Sequence, residues 1–231
     1  MVAAKTKKSK KFEEQYFKGW YKQAVGNFTS KDLQLSKNWF WAWLKKLDFY
    51  IPMKKGEGRK VLEIGCSIGG VSNLLVERGF RVWASDISSY AVKNAKKLTP
   101  KAKFLTLDIE KKIPLKEKFD IIICFEVVEH LENPEKGIAT IYTALNKKGK
   151  AVISTPYPYP WNFRDPTHIN VKYPHEWVKI MKKVGFKNVI YHRFTLLPFF
   201  YRFHKRLQLI IPFAIPFPYV NSPIFFIGEK K

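Results

Sequence analysis

Short apolar segments alternate with amphipathic ones from Lys60 onward, and no other feature constrains the fold of this chain as strongly. The apolar segments are predicted strands at residues 60–64, 81–85, 103–107, 119–125, 150–154, 187–192 and 224–227. Most of the segments between them have the residue spacing of amphipathic helices. The alternation predicts an α/β fold, in which helices cover both faces of a doubly wound, mostly parallel sheet of about seven strands.

The chain before the first predicted strand has a helical pattern instead. Trp39, Trp43 and Leu47 recur every four residues, which places them on one face of a helix. Ser36 is the predicted N-cap of this helix, because serine is favoured at that position. We therefore predict that residues 1–55 form a basic tail followed by covering helices.

A loop of small residues follows the first predicted strand. It contains Gly65, Cys66, Ser67 and Gly69, and a helix is predicted directly after it. Small residues let the backbone turn sharply and approach a ligand, and the N-terminus of the helix presents free amide hydrogens. A nicotinamide-binding loop has glycine at the third position, where this chain has Ser67, so that interpretation is weakened but stays open.

Acidic residues lie at the ends of three successive predicted strands. Glu63 is in the first strand, Asp86 ends the second, and Asp108 follows the third. A buried carboxylate is costly unless a donor satisfies it. Three acids at one edge of a sheet therefore predict one polar ligand that lies across the strand ends, where ligands of such sheets bind.

Residues 60–155 resemble the class I S-adenosylmethionine-dependent methyltransferases, and residues 63–69 match the glycine-rich first motif of that family. The resemblance implies that residues 56–231 form a Rossmann-like methyltransferase domain with S-adenosylmethionine as its cofactor. It also implies that Asp86 holds the ribose and Asp108 receives the adenine amino group. The full set of cofactor-binding residues that we expect is Glu63, Gly65, Cys66, Ser67, Gly69, Asp86, Ile87, Asp108, Ile109 and Glu126.

Two carboxylates and an imidazole follow the fourth predicted strand. If a helical turn begins at Glu126, then Glu126, Glu129 and His130 share one face of it. This pattern resembles that of the ubiquinone-biosynthesis O-methyltransferases and the small-RNA 2′-O-methyltransferases, and the resemblance implies that these residues bind a metal. His168 is the predicted fourth ligand and Mg²⁺ the predicted cation, which would lower the pKa of an acceptor hydroxyl.

Metal-free catalysis is the alternative for the same region, because members of the fold without a metal carry similar residues there. In that case Glu126 faces the cofactor, and His168 or Asp165 acts directly as the base. His168, Asp165 and His130 are therefore the predicted catalytic residues. The loop at 155–170, rich in proline, tyrosine and tryptophan, is predicted to form the acceptor pocket.

The chain is strongly basic, with a formal net charge of +23. No Asp or Glu occurs between Glu176 and Glu229. An aromatic and basic insertion at about 194–220 combines side chains such as Phe203 with cations such as Arg202, which is a composition typical of an interfacial helix. An anionic membrane surface and RNA are the partners that this charge suits.

These observations favour a cytoplasmic O-methyltransferase that acts on a small or lipid-linked hydroxyl acceptor, peripherally at a membrane. The two cysteines, Cys66 and Cys124, have the spacing of neither a redox pair nor a zinc site, which fits a reducing compartment. Three alternatives stay open from sequence: an RNA methyltransferase of the 2′-O type, a nicotinamide-dependent oxidoreductase, and a non-catalytic methyltransferase-like partner protein.

Overall fold

The computed structural model describes residues 11–21, 28–111, 113–197, 200–217 and 223–231. The predicted basic tail before Lys11 lies outside these residues. The described strands are β1 (Lys60–Ile64), β2 (Arg81–Asp86), β3 (Lys103–Thr106), β4 (Phe119–Phe125), β5 (Leu145–Pro156), β6 (Lys187–Arg193), β7 (Thr195–Leu197), β8 (Leu209–Ile211) and β9 (Pro223–Glu229).

Seven of these strands form one sheet in the order β3-β2-β1-β4-β5-β9-β6, and β7 and β8 form a separate pair. Strands β1 to β5 are parallel to one another, whereas β9 is antiparallel to both β5 and β6. The predicted α/β fold with a mostly parallel sheet of seven strands is confirmed. Strand order reverses between β1 and β4, and ligands bind beside such a reversal at the carboxyl ends of the strands.

Helices cover both faces of the sheet, as the alternation predicted. They are α1 (Glu14–Tyr21), α2 (Ser30–Leu47), α3 (Gly70–Glu77), α4 (Ser89–Leu98), α5 (Pro134–Ala144) and α6 (Pro174–Val184). Two short 3₁₀ helices, Val128–His130 and Pro160–Phe163, lie in loops that follow β4 and β5.

Side chains on alternate faces of β4 contribute to both hydrophobic cores. Ile122 and Cys124 point into the core that contains Trp177 of α6, whereas Ile121 and Ile123 point into the core that contains Trp43 of α2. Successive side chains of a strand face opposite sides of the sheet, so a strand buried on both faces is apolar throughout. This is why β4 is a continuous apolar run from Ile121 to Phe125 in the sequence.

The covering helix α2 begins earlier than predicted. Thr29 is its N-cap, and a capping box joins Thr29 to Asp32 through reciprocal hydrogen bonds. The prediction that Ser36 caps the helix is wrong, because Ser36 is buried inside α2, where it packs against Gly70 at the start of α3. Thr29 and Asp32 satisfy the amides of the first turn, so the helix gains a further turn and a half before Ser36.

The insertion after β6 is not helical in the residues that the structure describes, so the prediction of an interfacial helix there is wrong. Its chain forms the hairpin pair β7 and β8 together with turns. Thr195 Oγ1 donates to the carbonyl of Phe213 and accepts from the amide of Ile215. These two hydrogen bonds link the start of the insertion to a region near its end. Across the described part of the chain, every helix is too short or too polar to cross a membrane.

Candidate active site

The small-residue loop after β1 has the backbone geometry of a tight turn. Gly65 has φ 78°, Ser67 has φ 48°, and Gly69 has φ 86° as the N-cap of α3. A Cβ at Gly65 would overlap Cγ2 of Val127, so the loop after β4 packs in close contact with this glycine. Both its backbone conformation and its packing therefore require glycine at Gly65.

Asp86 ends β2 beside this loop and holds it in place. Its carboxylate accepts hydrogen bonds from the amides of Ser67 and Ser88, each at 2.9 Å. Burial raises the pKa of Asp86 to about 6, although the hydrogen bonds from the two amides oppose that change. Asp86 therefore stays mostly ionised at neutral pH, as a carboxylate that receives hydroxyl donors must be.

Glu63 lies inside β1 and is shielded from solvent. Ser72 of α3 donates its hydroxyl hydrogen to the Glu63 carboxyl group. Burial, with a smaller contribution from the nearby charge of Asp86, raises the pKa of Glu63 to about 8. Glu63 is therefore mainly protonated at neutral pH, and it differs in this from Asp86.

The other residues predicted to bind the cofactor line the same edge of the sheet. Asp108 lies two residues beyond β3, half-buried, where it accepts from the amide of Glu110. Cys66 and Ile109 are buried, and Ile87 directly follows Asp86. The structure thus brings the predicted residues of the first three strands to adjacent strand ends, and their roles toward the cofactor stay predictions.

Glu126 follows β4 with a left-handed backbone, φ 53°. Its Oε1 accepts from the hydroxyl of Ser154 at 2.8 Å. Burial raises the pKa of Glu126 to about 7. No helical turn begins at Glu126, because the 3₁₀ helix begins at Val128, so the geometric argument that put Glu126 on one face with Glu129 and His130 is wrong.

Three of the four predicted metal ligands do converge. One ligand atom each from Glu129, His130 and His168 lies within 4.8 Å of the others. Glu129 is fully buried, and neither of its carboxylate oxygens has a hydrogen-bond partner among the described residues. A buried carboxyl group without a partner is costly, and burial raises its pKa.

Backbone carbonyls orient both imidazoles of this cluster. His130 Nδ1 lies 2.9 Å from the carbonyl of Thr167, and His168 Nδ1 lies 2.7 Å from the carbonyl of Asn162. A carbonyl can only accept, so each Nδ1 carries hydrogen, and in the neutral imidazole Nε2 then keeps the lone pair. Burial lowers the pKa of His130 to about 4, which keeps that lone pair available at neutral pH.

Asp165 lies next to the cluster and could support His168. Its Oδ2 is 3.7 Å from His168 Nε2, and its Oδ1 accepts hydrogen bonds from both the amide and the hydroxyl of Thr167. Burial raises the pKa of Asp165, but these hydrogen bonds outweigh that effect and hold the pKa below its usual value. Asp165 therefore stays ionised.

Arg193 lies beside the aromatic acceptor loop, and sequence reasoning missed it. Its guanidinium is 3.8 Å from the ring centroid of Tyr157, and its Nη2 donates to the hydroxyl of Tyr159 at 2.8 Å. Tyr159 in turn stacks on Trp161. Arg193 ends β6, three strands away from β4, so only tertiary structure brings it to this loop.

The segment before α1 also reaches the site, and the sequence analysis assigned it no role. Glu13 accepts from the hydroxyl of Ser88 and from the amide of Tyr90, next to Asp86. The ring of Phe12 contacts the ring of His130 edge to face, with centroids 5.5 Å apart. This segment therefore covers the edge of the sheet between Ser88 and His130.

Comparisons with known proteins agree with this geometry. The chain matches the methyltransferase domain family over residues 39–190. It is 28% identical over 144 residues to the mitochondrial ubiquinone biosynthesis O-methyltransferase of Schizosaccharomyces pombe, covering 53% of this chain and 52% of that protein. It is 32% identical over 104 residues to the ubiquinone biosynthesis O-methyltransferase of Rickettsia felis, covering 42% of this chain and 41% of that protein. The chain thus spans about half the length, or less, of these relatives.

A solved structure resembles nearly the whole chain. Magnesium protoporphyrin IX methyltransferase from Synechocystis PCC 6803, crystallised with bound S-adenosylhomocysteine, superposes with a TM-score of 0.64 at 17% identity, covering 96% of this chain and 98% of that one. At this identity the likeness shows the fold alone. The match to the domain family, over more than half of the chain, shows the family: this protein belongs to the methyltransferase domain family and is a class I S-adenosylmethionine-dependent methyltransferase.

Proposed function

We propose that this methyltransferase transfers the methyl group to a hydroxyl oxygen of a small or lipid-linked acceptor, with a divalent cation bound by Glu129, His130 and His168. The observation that carries the proposal is the fully buried Glu129 carboxyl group, which has no hydrogen-bond partner among the described residues and lies beside the imidazoles of His130 and His168. The partial match to ubiquinone biosynthesis O-methyltransferases supports oxygen as the target atom.

The residues of the cofactor site suit a charged nucleoside ligand. Asp86 is ionised beside a loop of glycine and small residues, so its carboxylate can accept from ribose hydroxyls. Gly65 and Gly69 let the backbone approach the methionine part of the cofactor. Bound S-adenosylmethionine supplies an electrophilic methyl group, and the protein has to align an acceptor with that group and remove the acceptor's proton.

The Glu129 cluster could bind a cation after its side chains move closer together. Of three ligand atoms on one octahedral Mg²⁺, at least two pairs are in cis positions about 3.0 Å apart, because each atom is about 2.1 Å from the ion. The three candidate atoms lie within 4.8 Å, so side-chain movements on the order of 1 Å would bring them into range. Two imidazoles suit Mn²⁺ or Zn²⁺ at least as well as Mg²⁺, which was the ion expected from sequence. A bound cation would lower the pKa of the acceptor hydroxyl.

The protein's own groups also offer a route for the proton. A neutral His168 that donates from Nδ1 to the carbonyl of Asn162 has a lone pair on Nε2, and the ionised Asp165 lies 3.7 Å from that atom. His168 can therefore accept the proton of an acceptor hydroxyl, and Asp165 stabilises the imidazolium that forms. This is the metal-free alternative, and chelation distinguishes it from the proposal.

The test is methyl transfer from labelled S-adenosylmethionine to catechols with and without a prenyl chain. We expect activity to fall after treatment with a chelator and to return with Mg²⁺ or Mn²⁺. Glu129→Gln should lower activity by at least about tenfold and weaken Mn²⁺ binding in calorimetry, with S-adenosylhomocysteine binding retained. Glu132→Gln, an exposed neighbour, is the matched control and should behave like the unaltered protein. Activity that is indifferent both to chelation and to Glu129→Gln would overturn the metal assignment.

RNA methylation at a ribose 2′-hydroxyl is the second candidate, because the net charge of +23 favours a polyanionic partner. The same assay with small RNA as acceptor tests it. Methyl transfer to RNA without transfer to any catechol would replace the proposed acceptor class. Membership of the methyltransferase domain family decides against the nicotinamide-dependent alternative.

A further inference from the structure

The segment from Phe200 to Phe217 exposes an unusual amount of apolar surface. Six of its large apolar side chains are between 50% and 81% exposed, and they are Phe200, Phe203, Leu207, Leu209, Phe213 and Phe217. We call them the 200–217 surface. A phenylalanine side chain carries about 150–250 Å², so together they expose on the order of 600 Å², at the upper end of the largest patch of a typical soluble monomer.

The fold holds this segment in place, so the exposure is not that of a loose chain. Asn38 of α2 donates to the carbonyl of Tyr201 at 2.8 Å, and Gln208 donates to the carbonyl of Asn38. The ring of Trp39 packs edge to face on the ring of Tyr201. These contacts fix the backbone of the segment while its large apolar side chains face water, which costs free energy unless another surface covers them.

Charge indicates what kind of partner covers this surface. Arg202 and Arg206 are exposed on the same segment, with Lys205 between them. None of these three cations is paired with a carboxylate in the parts of the chain that the structure describes. The sequence from residue 177 to residue 228 contains no acidic residue at all. An apolar surface bordered by unneutralised cations complements the headgroup and acyl boundary of an anionic bilayer.

The 200–217 surface lies at the same edge of the sheet as the proposed acceptor site. Its segment follows the carboxyl end of β6, and its contact residue Trp39 is the neighbour in α2 of Phe40, which stacks on Phe125 at the end of β4. A lipid-linked acceptor would therefore meet the active site from the side on which the protein contacts the bilayer.

We propose that the 200–217 surface docks this protein on an anionic lipid bilayer, with its apolar side chains in the headgroup region and its cations against lipid phosphates. Docking itself does not depend on the proposed function, but the statement that docking gives access to a lipid-linked acceptor does. Single-stranded RNA suits the surface less well, because the aliphatic side chains of Leu207 and Leu209 offer no face on which a base can stack.

The test is co-sedimentation of the full chain with vesicles of phosphatidylcholine mixed with phosphatidylglycerol, and with vesicles of phosphatidylcholine alone. We expect clear binding to the mixed vesicles and about tenfold weaker binding to the neutral ones. The double variant Phe203→Ser with Phe213→Ser should bind the mixed vesicles at least about tenfold more weakly than the unaltered protein. Arg202→Gln with Arg206→Gln should weaken binding to mixed vesicles and leave binding to neutral vesicles unchanged.

The matched control is Phe49→Ser. Phe49 is 77% exposed, but it follows α2 beside Asp48 and is not part of the 200–217 surface. Phe49→Ser should bind vesicles like the unaltered protein. S-adenosylhomocysteine calorimetry on every variant shows whether the fold is retained.

The inference would be overturned if the unaltered protein did not bind mixed vesicles. It would also be overturned if the Phe203 and Phe213 double variant bound them as tightly as the unaltered protein does. Tighter binding to single-stranded RNA than to the mixed vesicles would overturn it as well. Methyl transfer to a water-soluble catechol is measured separately, without vesicles. If the unaltered protein methylates the catechol but does not bind mixed vesicles, the docking surface alone is refuted. If it binds mixed vesicles but transfers methyl to no hydroxyl, the proposed function alone is refuted.

Discussion

Replacing Gly65 by alanine tests the central turn of the cofactor site. Gly65 has φ 78°, a left-handed conformation that costs an alanine about 1–2 kcal/mol. The added Cβ would also overlap Cγ2 of Val127. Insertion of a methyl group into a packed site costs about 1–3 kcal/mol. Gly65→Ala should therefore lower the free energy of unfolding by about 2–5 kcal/mol.

Gly58→Ala separates the cost of the left-handed backbone from the cost of the overlap with Val127. Gly58 has φ 75°, nearly the same as Gly65, but nothing lies within 4 Å of the position that its Cβ would take. This control should lose only the conformational part, about 1–2 kcal/mol. Urea unfolding of both variants measures the free energies, and their difference reports the overlap with Val127.

Calorimetry of S-adenosylhomocysteine binding by the same variants then tests whether the packing at Gly65 affects ligand binding. Gly65→Ala should bind S-adenosylhomocysteine at least about tenfold more weakly, because its strained loop cannot hold the turn beside Asp86. Gly58→Ala should bind it normally. Adding Val127→Ala to Gly65→Ala should restore part of the lost stability. Equal stability losses in Gly65→Ala and Gly58→Ala, with normal binding in both, would refute the reasoning.

Three further predictions follow from buried groups near the same loop. Below pH about 6, protonation of Asp86 should weaken S-adenosylhomocysteine binding by up to about tenfold per pH unit, and calorimetry of Asp86→Asn should show weaker binding without that dependence. The folded protein binds a proton at Glu63 up to pH about 8, whereas the ordinary pKa is 4.5, so the free energy of unfolding should fall as pH rises through this window. Urea unfolding of Glu63→Gln should lack this part of the decline, and an unchanged pH profile would contradict the burial of Glu63. Gly70→Ala should lose about 1–3 kcal/mol of stability in the same assay, because its Cβ would overlap Ser36, and full stability would contradict the close approach of α2 and α3.

Periodicity was sufficient to predict the sheet but not the ends of the covering helix. Strand β4 is apolar at every position except Asp120 because both of its faces are buried, and its bounds of 119 and 125 were predicted correctly from sequence. The start of α2 was predicted wrongly. Ser36 is a residue type that is favoured at the N-cap, but the capping box of Thr29 and Asp32 starts the helix seven residues earlier. The prediction of a helix in the insertion failed for a similar reason, since Thr195 at its start hydrogen-bonds to Phe213 and Ile215 near its end and holds the segment in a hairpin.

Residue spacing and short motifs within single strand and loop units were enough to predict the fold class, the family and the edge of the sheet at which the site lies. Which side chains meet there depends on how distant segments of the chain pack together. Glu129, His130 and His168 converge, whereas Glu126 turns toward Ser154, and Arg193 and Phe12 reach the site from distant parts of the chain. The physical reason is that contacts between remote segments depend on how the helices and strands pack, and a pattern of neighbouring residues carries no record of that packing.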